Sequence, residues 1–349
     1  MKRNWMYATA TAFFLLAGCS NSEETVQEHQ EKPINEEVNK EGSVEEFAYQ
    51  YPLTGVGVKE ESTNRAYAVM VNNDPKARPQ SGLHKADIVY ELLAEGNVTR
   101  FLAVFQSEEA DRIGPVRSAR DYYIDLAKGY DALYIAHGYS PEAKEMLDSG
   151  YVDNINGMQY DGSLFKRDSN RVAPHNSYIT TESILKGADN LGYNMDVPPV
   201  SLPFLTEGEA EALAGSSAKT AQISYFSSDL FNVIFEYDEE TMKYERYSNG
   251  ERTEDLDSSE PVLLDNIFVV EADHRLIDDY GRREIDLTSG GKAYLLQRGQ
   301  WQEVEWKNVD GKILPFDANG QEVGFVSGKT WVNVVPSDQG IENVVSFTE

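Results

Sequence analysis

Two stretches of the sequence gather arginines. DRIGPVRSARDYY, residues 111–123, holds Arg112, Arg117 and Arg120 beside a Gly114-Pro115 turn. KRDSNRVAPHN, residues 166–176, holds Arg167, Asp168, Arg171, His175 and Asn176, and its Ser169-Asn170 and Pro174 mark it as loop. A guanidinium presents a planar fork of N–H donors that fits a carboxylate or a phosphate two bonds at a time. The chemistry open to these residues is therefore anion recognition. Residues 117–128 suit a helix with Gly129 after it. On that helix Arg117 and Arg120 share a face in the first turn, where cations oppose the helix dipole. Such a placement calls either for paired carboxylates, with Asp111, Asp121 and Asp125 at hand, or for an anionic ligand at the helix N-terminus. Both readings stay open on sequence.

His137 closes the apolar run DALYIAHG, residues 131–138, and precedes Gly138. The carboxyl end of a buried strand is where open α/β folds place ligands. Asn72, Asn73 and Asp74 follow the first expected strand directly, and His175 sits in the arginine loop. Asp121 and Asp168 stand beside arginines and could serve as acid or base with His137 or His175 assisting. Glu91 and Glu95 could pair with Arg100 across a hairpin. His84 and His274 have no supporting constellation. No spacing rule supports a metal site built from Asp74, His137 and His175, so no metal and no cofactor are expected. The phosphate-cradling, dinucleotide, zinc-protease and C-x-x-C patterns are absent. Gly138-Tyr139-Ser140-Pro141-Glu142 lacks the final glycine of a nucleophile elbow, and Ser140 reads as a helix cap.

The elements that must position these residues are an expected strand at 65–71, a hairpin of 87–95 and 98–106 around Gly96-Asn97, the strand at 131–138, a helix opened by Ser140-Pro141, and a helix over 181–191. VPPVSLP, residues 197–203, reads as a boundary. Beyond about residue 215 the strand candidates follow one another: FNVIFEY, MKYERYS, NIFVVEA, KAYLLQR, WQEVEWK and KTWVNVV. The fold class predicted is α+β (mixed α/β) for residues 51–200, followed by a β-rich sandwich or open barrel for 201–349. Trp301, Val304 and Trp306 do not share one alternation, which predicts some exposed aromatic surface.

The chain has 349 residues and a formal net charge of −28, which argues against a nucleic-acid partner. Its single cysteine, Cys19, rules out an internal disulfide and a Cys-based metal site. Lys2 and Arg3 precede an apolar run, WMYATATAFFLLA, that ends in Leu16-Ala17-Gly18-Cys19. The run is too short to span a bilayer and fits a signal-peptide core. Residues 1–18 are thus read as a lipoprotein signal peptide and Cys19 as the lipidated residue, carrying diacylglycerol and a further acyl chain such as palmitate. Two or more chains make a stable anchor. Residues 19–50 are read as an acidic, disordered tether: from 20 to 50 nine glutamates face two lysines. From Arg65 to Arg171 there are 13 Lys and Arg against 16 Asp and Glu, so most of the acidic excess lies elsewhere.

VMVNNDPKARPQSGLHKADIVYELLAEGNVTRFLAVF, IGPVRSARDYY and the RDSNRVAPHN loop resemble the N-terminal domain of the YerB-like bacterial lipoproteins. YDEETMKYERYSNG, GKAYLLQRGQWQEVEW and GKTWVNVVP resemble its C-terminal domain. The resemblance implies a membrane-anchored, extracytoplasmic protein, typically of Gram-positive bacteria, and brings no catalytic residues with it. The function expected is a binding or interaction module of the cell envelope, for an anionic ligand or a protein partner. Arg112, Arg117, Arg120, Arg167 and Arg171 would be the fork donors. The alternatives are a wall-acting hydrolase using Asp168 or Asp121 with a histidine, and purely structural arginines with contacts made through the aromatics of the β-rich half. Partners are the membrane through the lipid, and an envelope polymer or membrane protein.

Overall fold

The computed structural model describes residues 35–38, 44–225 and 229–349. The apolar leader, Cys19 and much of the acidic stretch lie outside them. Within that stretch Asn35–Val38 and Val44–Phe47 pair antiparallel, although its composition predicts no structure. The register sets Val38 opposite Val44, two strand formers that the glutamate count conceals.

The first half is built on β1 (Tyr67–Asn72), β2 (Ile88–Glu95), β3 (Val98–Phe105), α1 (Asp121–Gly129), β4 (Leu133–Ala136), α2 (Pro141–Asp148), β5 (Asn154–Asn156) and α3 (Thr181–Leu191). Strand β1 is buried along its whole length, as its unbroken apolar run requires. Alternation sends Val69 and Val71 into one core with Val89, Leu93 and Phe101. Ala68 and Met70 enter the other with Tyr90, Leu92 and Leu102. Ser140 caps α2 by accepting from the Ala143 N–H at 3.2 Å, with Pro141 in the first turn. Gly192 ends α3 in the left-handed conformation.

One expectation fails in a place that matters. Helix α1 begins at Asp121, with Arg120 as its N-cap, and not at residue 117. The backbone groups of 113–119 are committed elsewhere: Val116 bridges Val71, Ala119 bridges Tyr139, and the Arg117 N–H donates to Met70 at 2.9 Å. Arg117 and Arg120 therefore do not share a helix face.

The second half adds β6 (Thr220–Ile223), β7 (Val233–Asp238), β8 (Lys243–Ser248), β9 (Asn266–Ala272), β10 (His274–Leu276), β11 (Arg283–Ile285), β12 (Gly291–Gln297), β13 (Gln300–Val309), β14 (Lys312–Phe316), β15 (Thr330–Pro336) and β16 (Val345–Thr348). β15 lies between β9 and β2, parallel to both. One eleven-stranded sheet thus runs β13-β12-β9-β15-β2-β3-β1-β4-β5, with β14 and a two-residue strand also on β13. A six-stranded sheet around β8-β7-β6-β16 packs on one face of it through Phe235, Tyr244 and Trp331. The N-terminal half is α+β and the C-terminal half a β-rich sandwich. Trp306 and Trp331 are fully buried. Trp301 is half-buried and stacks on Phe347 at 4.2 Å between ring centroids. Val304 and Trp306 share one face, while Trp301 and Phe347, both half-buried, keep part of their ring surface open on the other.

Candidate functional site

Strands β1, β4 and β5 run parallel, so their carboxyl ends open on the same side, at Asn72, at His137 and at Asn156. The extended segment 113–119 threads between them. The His137 N–H donates to the Arg117 carbonyl at 2.9 Å, and Ser118 Oγ donates to the His137 carbonyl at 3.2 Å. Arg117 and His137 are thereby fixed as neighbours at the strand ends.

Each arginine of the two clusters meets a different fate. Arg112 donates to Asp257 at 2.9 Å and to Asp168, and lies over the Tyr178 ring at 3.6 Å. Arg167 forks onto Asp161, with bonds of 2.9 to 3.1 Å, and also reaches Asn176 and His137. Arg171 spends its terminal nitrogens on the carbonyls of Ala77 and Pro79, which pins the 168–176 loop. Arg120 donates to Glu95 at 2.8 Å and to the Ala119 carbonyl. Arg100, almost wholly buried, donates to the other oxygen of Glu95 and to the Ser118 carbonyl. Burial lowers Arg100 to about 10, against the attraction of Glu95.

Arg117 differs from all of these. Among the described residues its side chain makes no hydrogen bond or ion pair, and its Nε is buried without an acceptor. Glu95 could have served it, but both carboxylate oxygens are taken, Oε1 by Arg100 and Oε2 by Arg120. Burial, opposed by Glu95 and reinforced by Arg120, lowers the Arg117 guanidinium below its ordinary value. A one-residue bulge in β2 puts Glu95 there: the register slips between Leu93 and Glu95, which turns Glu95 to the face of Arg100.

The histidine tautomers follow from their partners. Asn72 accepts the Asp74 N–H at 3.0 Å, which orients its amide so that Nδ2 donates to His175 Nδ1 at 2.9 Å. The His175 proton is then on Nε2. His137 Nε2 faces an Arg167 nitrogen at 2.9 Å and must accept, so its Nδ1–H donates to Ser177 at 2.7 Å. Burial lowers both histidines, so they are neutral at neutral pH. In this tautomer His137 cannot take the Ser177 proton. The Asn170 N–H, then Arg112, hold Asp168 below the usual carboxylate range, so it is ionised. Burial raises Asp121, which lies in the first turn of α1. Asp74 caps a short 3₁₀ turn by accepting the Lys76 N–H at 2.9 Å. Asn73 turns to the other face of the sheet, donating to Glu91 and Thr99. Among the described residues no group of His, Cys, Asp and Glu could hold a metal ion.

Glu91 does not pair with Arg100. The two lie on opposite faces of the sheet, and Glu91 faces the six-stranded one. There it accepts from Arg246 at 2.8 Å, Trp331 at 3.2 Å, Asn333 at 3.3 Å, Asn73 at 3.2 Å and Thr99 at 3.0 Å. Arg246 lies over Trp331 at 4.6 Å and Phe101 at 5.3 Å. Sequence spacing could not reveal this partner, 155 positions away, nor could it reveal Asp257 as the acid of Arg112.

An α+β domain whose long sheet is completed by a β-rich second half, with a cluster of polar side chains at its parallel strand ends, defines the class of protein. The chain belongs to the family described as protein of unknown function DUF3048: residues 53–194 match its N-terminal domain and residues 221–332 its C-terminal domain. It is 46% identical over 287 residues to the Bacillus subtilis protein named "Putative lipoprotein YerB", covering 82% of this chain and 86% of that protein. The crystal structure of Bacillus subtilis YerB is similar with a TM-score of 0.80 at 44% identity, over 86% of this chain and all of that one.

Proposed function

We propose that this protein is a lipoprotein of the cell envelope, anchored through Cys19 on the outer face of the cytoplasmic membrane, whose folded body binds an anionic group at Arg117, where β1 and β4 end. The leader, the lone cysteine after Leu-Ala-Gly, and the name carried by the Bacillus subtilis relative support the anchor. The observation that carries the binding reading is the unpartnered Arg117 fork at the ends of β1 and β4. A half-buried guanidinium whose nearest carboxylate is already consumed is poorly solvated, and an anionic guest would relieve it. His175 adds a second donor, its Nε2–H. The remaining arginines act as braces: Arg112, Arg167 and Arg171 hold the loop that carries His175, and Arg120 locks Glu95.

The test is saturable binding of the full chain to purified anionic envelope polymer, compared with Arg117→Gln. Loss of binding in the variant, with no soluble product released, supports a binding module. Release of product that His175→Ala abolishes would support a hydrolase and remove this reading.

A further inference from the structure

Resting on that reading, the geometry points to the group recognised: we propose that the Arg117 site takes a phosphoryl group, as a phosphate monoester dianion, rather than a carboxylate. Charge is the first ground. Glu95 is divided between Arg100 and Arg120, and Arg117, which stands in the field of Glu95 and Arg120, pairs with neither of its oxygens. Three guanidiniums against one carboxylate leave a surplus of two positive charges, in a chain whose net charge is −28. Asp74 adds one negative charge nearby, but Lys76 and Arg171 act on the same place, as their influence on His175 records. A carboxylate guest cancels one charge of such a surplus, whereas a phosphate monoester carries about −1.5 to −2 at neutral pH.

Donor chemistry is the second ground. Arg117 offers only N–H groups, and His175, with Nδ1 occupied by Asn72, also presents an N–H. The two come from different segments, 113–119 and the 168–176 loop. Three phosphoryl oxygens can accept from donors arriving from separate directions, while a carboxylate has two oxygens in one plane. The site is also held rigid before any ligand arrives. Arg171 anchors its loop to Ala77 and Pro79, Asn176 ties Asp168 to Arg171, and the Arg117 backbone is bonded on both sides. The backbone on both sides and the His175 ring are thus in place beforehand, and only the Arg117 side chain has to be ordered on binding.

The full chain in detergent, titrated calorimetrically, distinguishes the outcomes. Inorganic phosphate and glycerol 3-phosphate are the probes, with acetate as the carboxylate control. Phosphate and glycerol 3-phosphate are expected to bind at least about tenfold more tightly than acetate, and Arg117→Gln to weaken them by at least about tenfold. Arg117→Lys keeps the charge and loses the fork, so it should fall between, and an unchanged far-ultraviolet circular dichroism spectrum certifies its fold. Acetate binding as tightly as phosphate, still dependent on Arg117, overturns the phosphoryl assignment and leaves the anion-binding reading standing. No Arg117-dependent binding of either anion, nor of vesicles containing phosphatidic acid, removes both. Vesicles with and without phosphatidic acid separate the sources: binding to these alone, with none to glycerol 3-phosphate, puts the phosphoryl group on a lipid.

Discussion

Arginine meets glutamate twice in this molecule, under opposite conditions. Between the two sheets, Glu91 and Arg246 are both fully buried, and Trp331, Asn333, Asn73 and Thr99 complete the carboxylate's hydrogen bonds. At the open strand ends, Glu95 is one-third exposed and divided between Arg100 and Arg120, and Arg117 is left over. The first arrangement is closed: both oxygens of Glu91 are bonded inside the core, and the pair joins the two halves of the chain. The second is incomplete by one anion. Arginines in sequence do not announce which kind they belong to. What separates them is whether the carboxylates within reach are already committed.

Substitutions at the two centres should differ in cost. The largest effect is expected at the closed centre. Arg246→Met strands Glu91 in the core and should cost about 3–5 kcal/mol in urea unfolding, whereas Glu91→Gln with Arg246→Met should recover much of that loss. Next comes a buried carboxylate with no guanidinium. Asp87 accepts from the Ser107 N–H at 3.0 Å and from its hydroxyl, and burial raises it to about 6. A carboxyl raised above its unfolded value near 3.9 keeps its proton longer in the native state. Its contribution is therefore fully present below about pH 4 and lost as pH rises to about 6, a swing of about 3 kcal/mol that Asp87→Asn should flatten. Glu95→Gln leaves Arg100 and Arg120 sharing a neutral amide and should cost about 1–3 kcal/mol. Arg117→Gln is expected to be the smallest, within about 0.5 kcal/mol of the parent, because no protein partner is lost.

Much of the framework was legible because it rests on period and punctuation. Thr181–Leu191 and Asn266–Ala272 fall where the apolar pattern placed them, and Ser140-Pro141 opened α2 as caps do. The start of α1 was not legible. Residues 117–120 have no local feature that forbids helix, and only the non-local bonds of 113–119 to β1 and to 137–139 hold them extended. The site was legible only in part. Arg117, His137, His175 and Asn72 were named from residue type and from their places at strand ends and in a loop, and the fold brings them together. Glu95 as the acid of Arg100 was visible as a hairpin pair, but its capture of Arg120 depends on a bulge that period-two counting cannot anticipate. Asp161 and Asp257 were missed because an ion pair leaves no trace in the spacing of its partners.

The most direct test of the unneutralised Arg117 fork is the thermal midpoint of the full chain, with and without phosphate, in the parent and in Arg117→Gln. Binding to the native state alone raises Tm by mass action. The account predicts equal midpoints without the anion, and a rise on adding it in the parent only. A variant that melts far lower without any anion, as Arg246→Met should, together with a parent indifferent to phosphate, would make Arg117 a structural residue and contradict it.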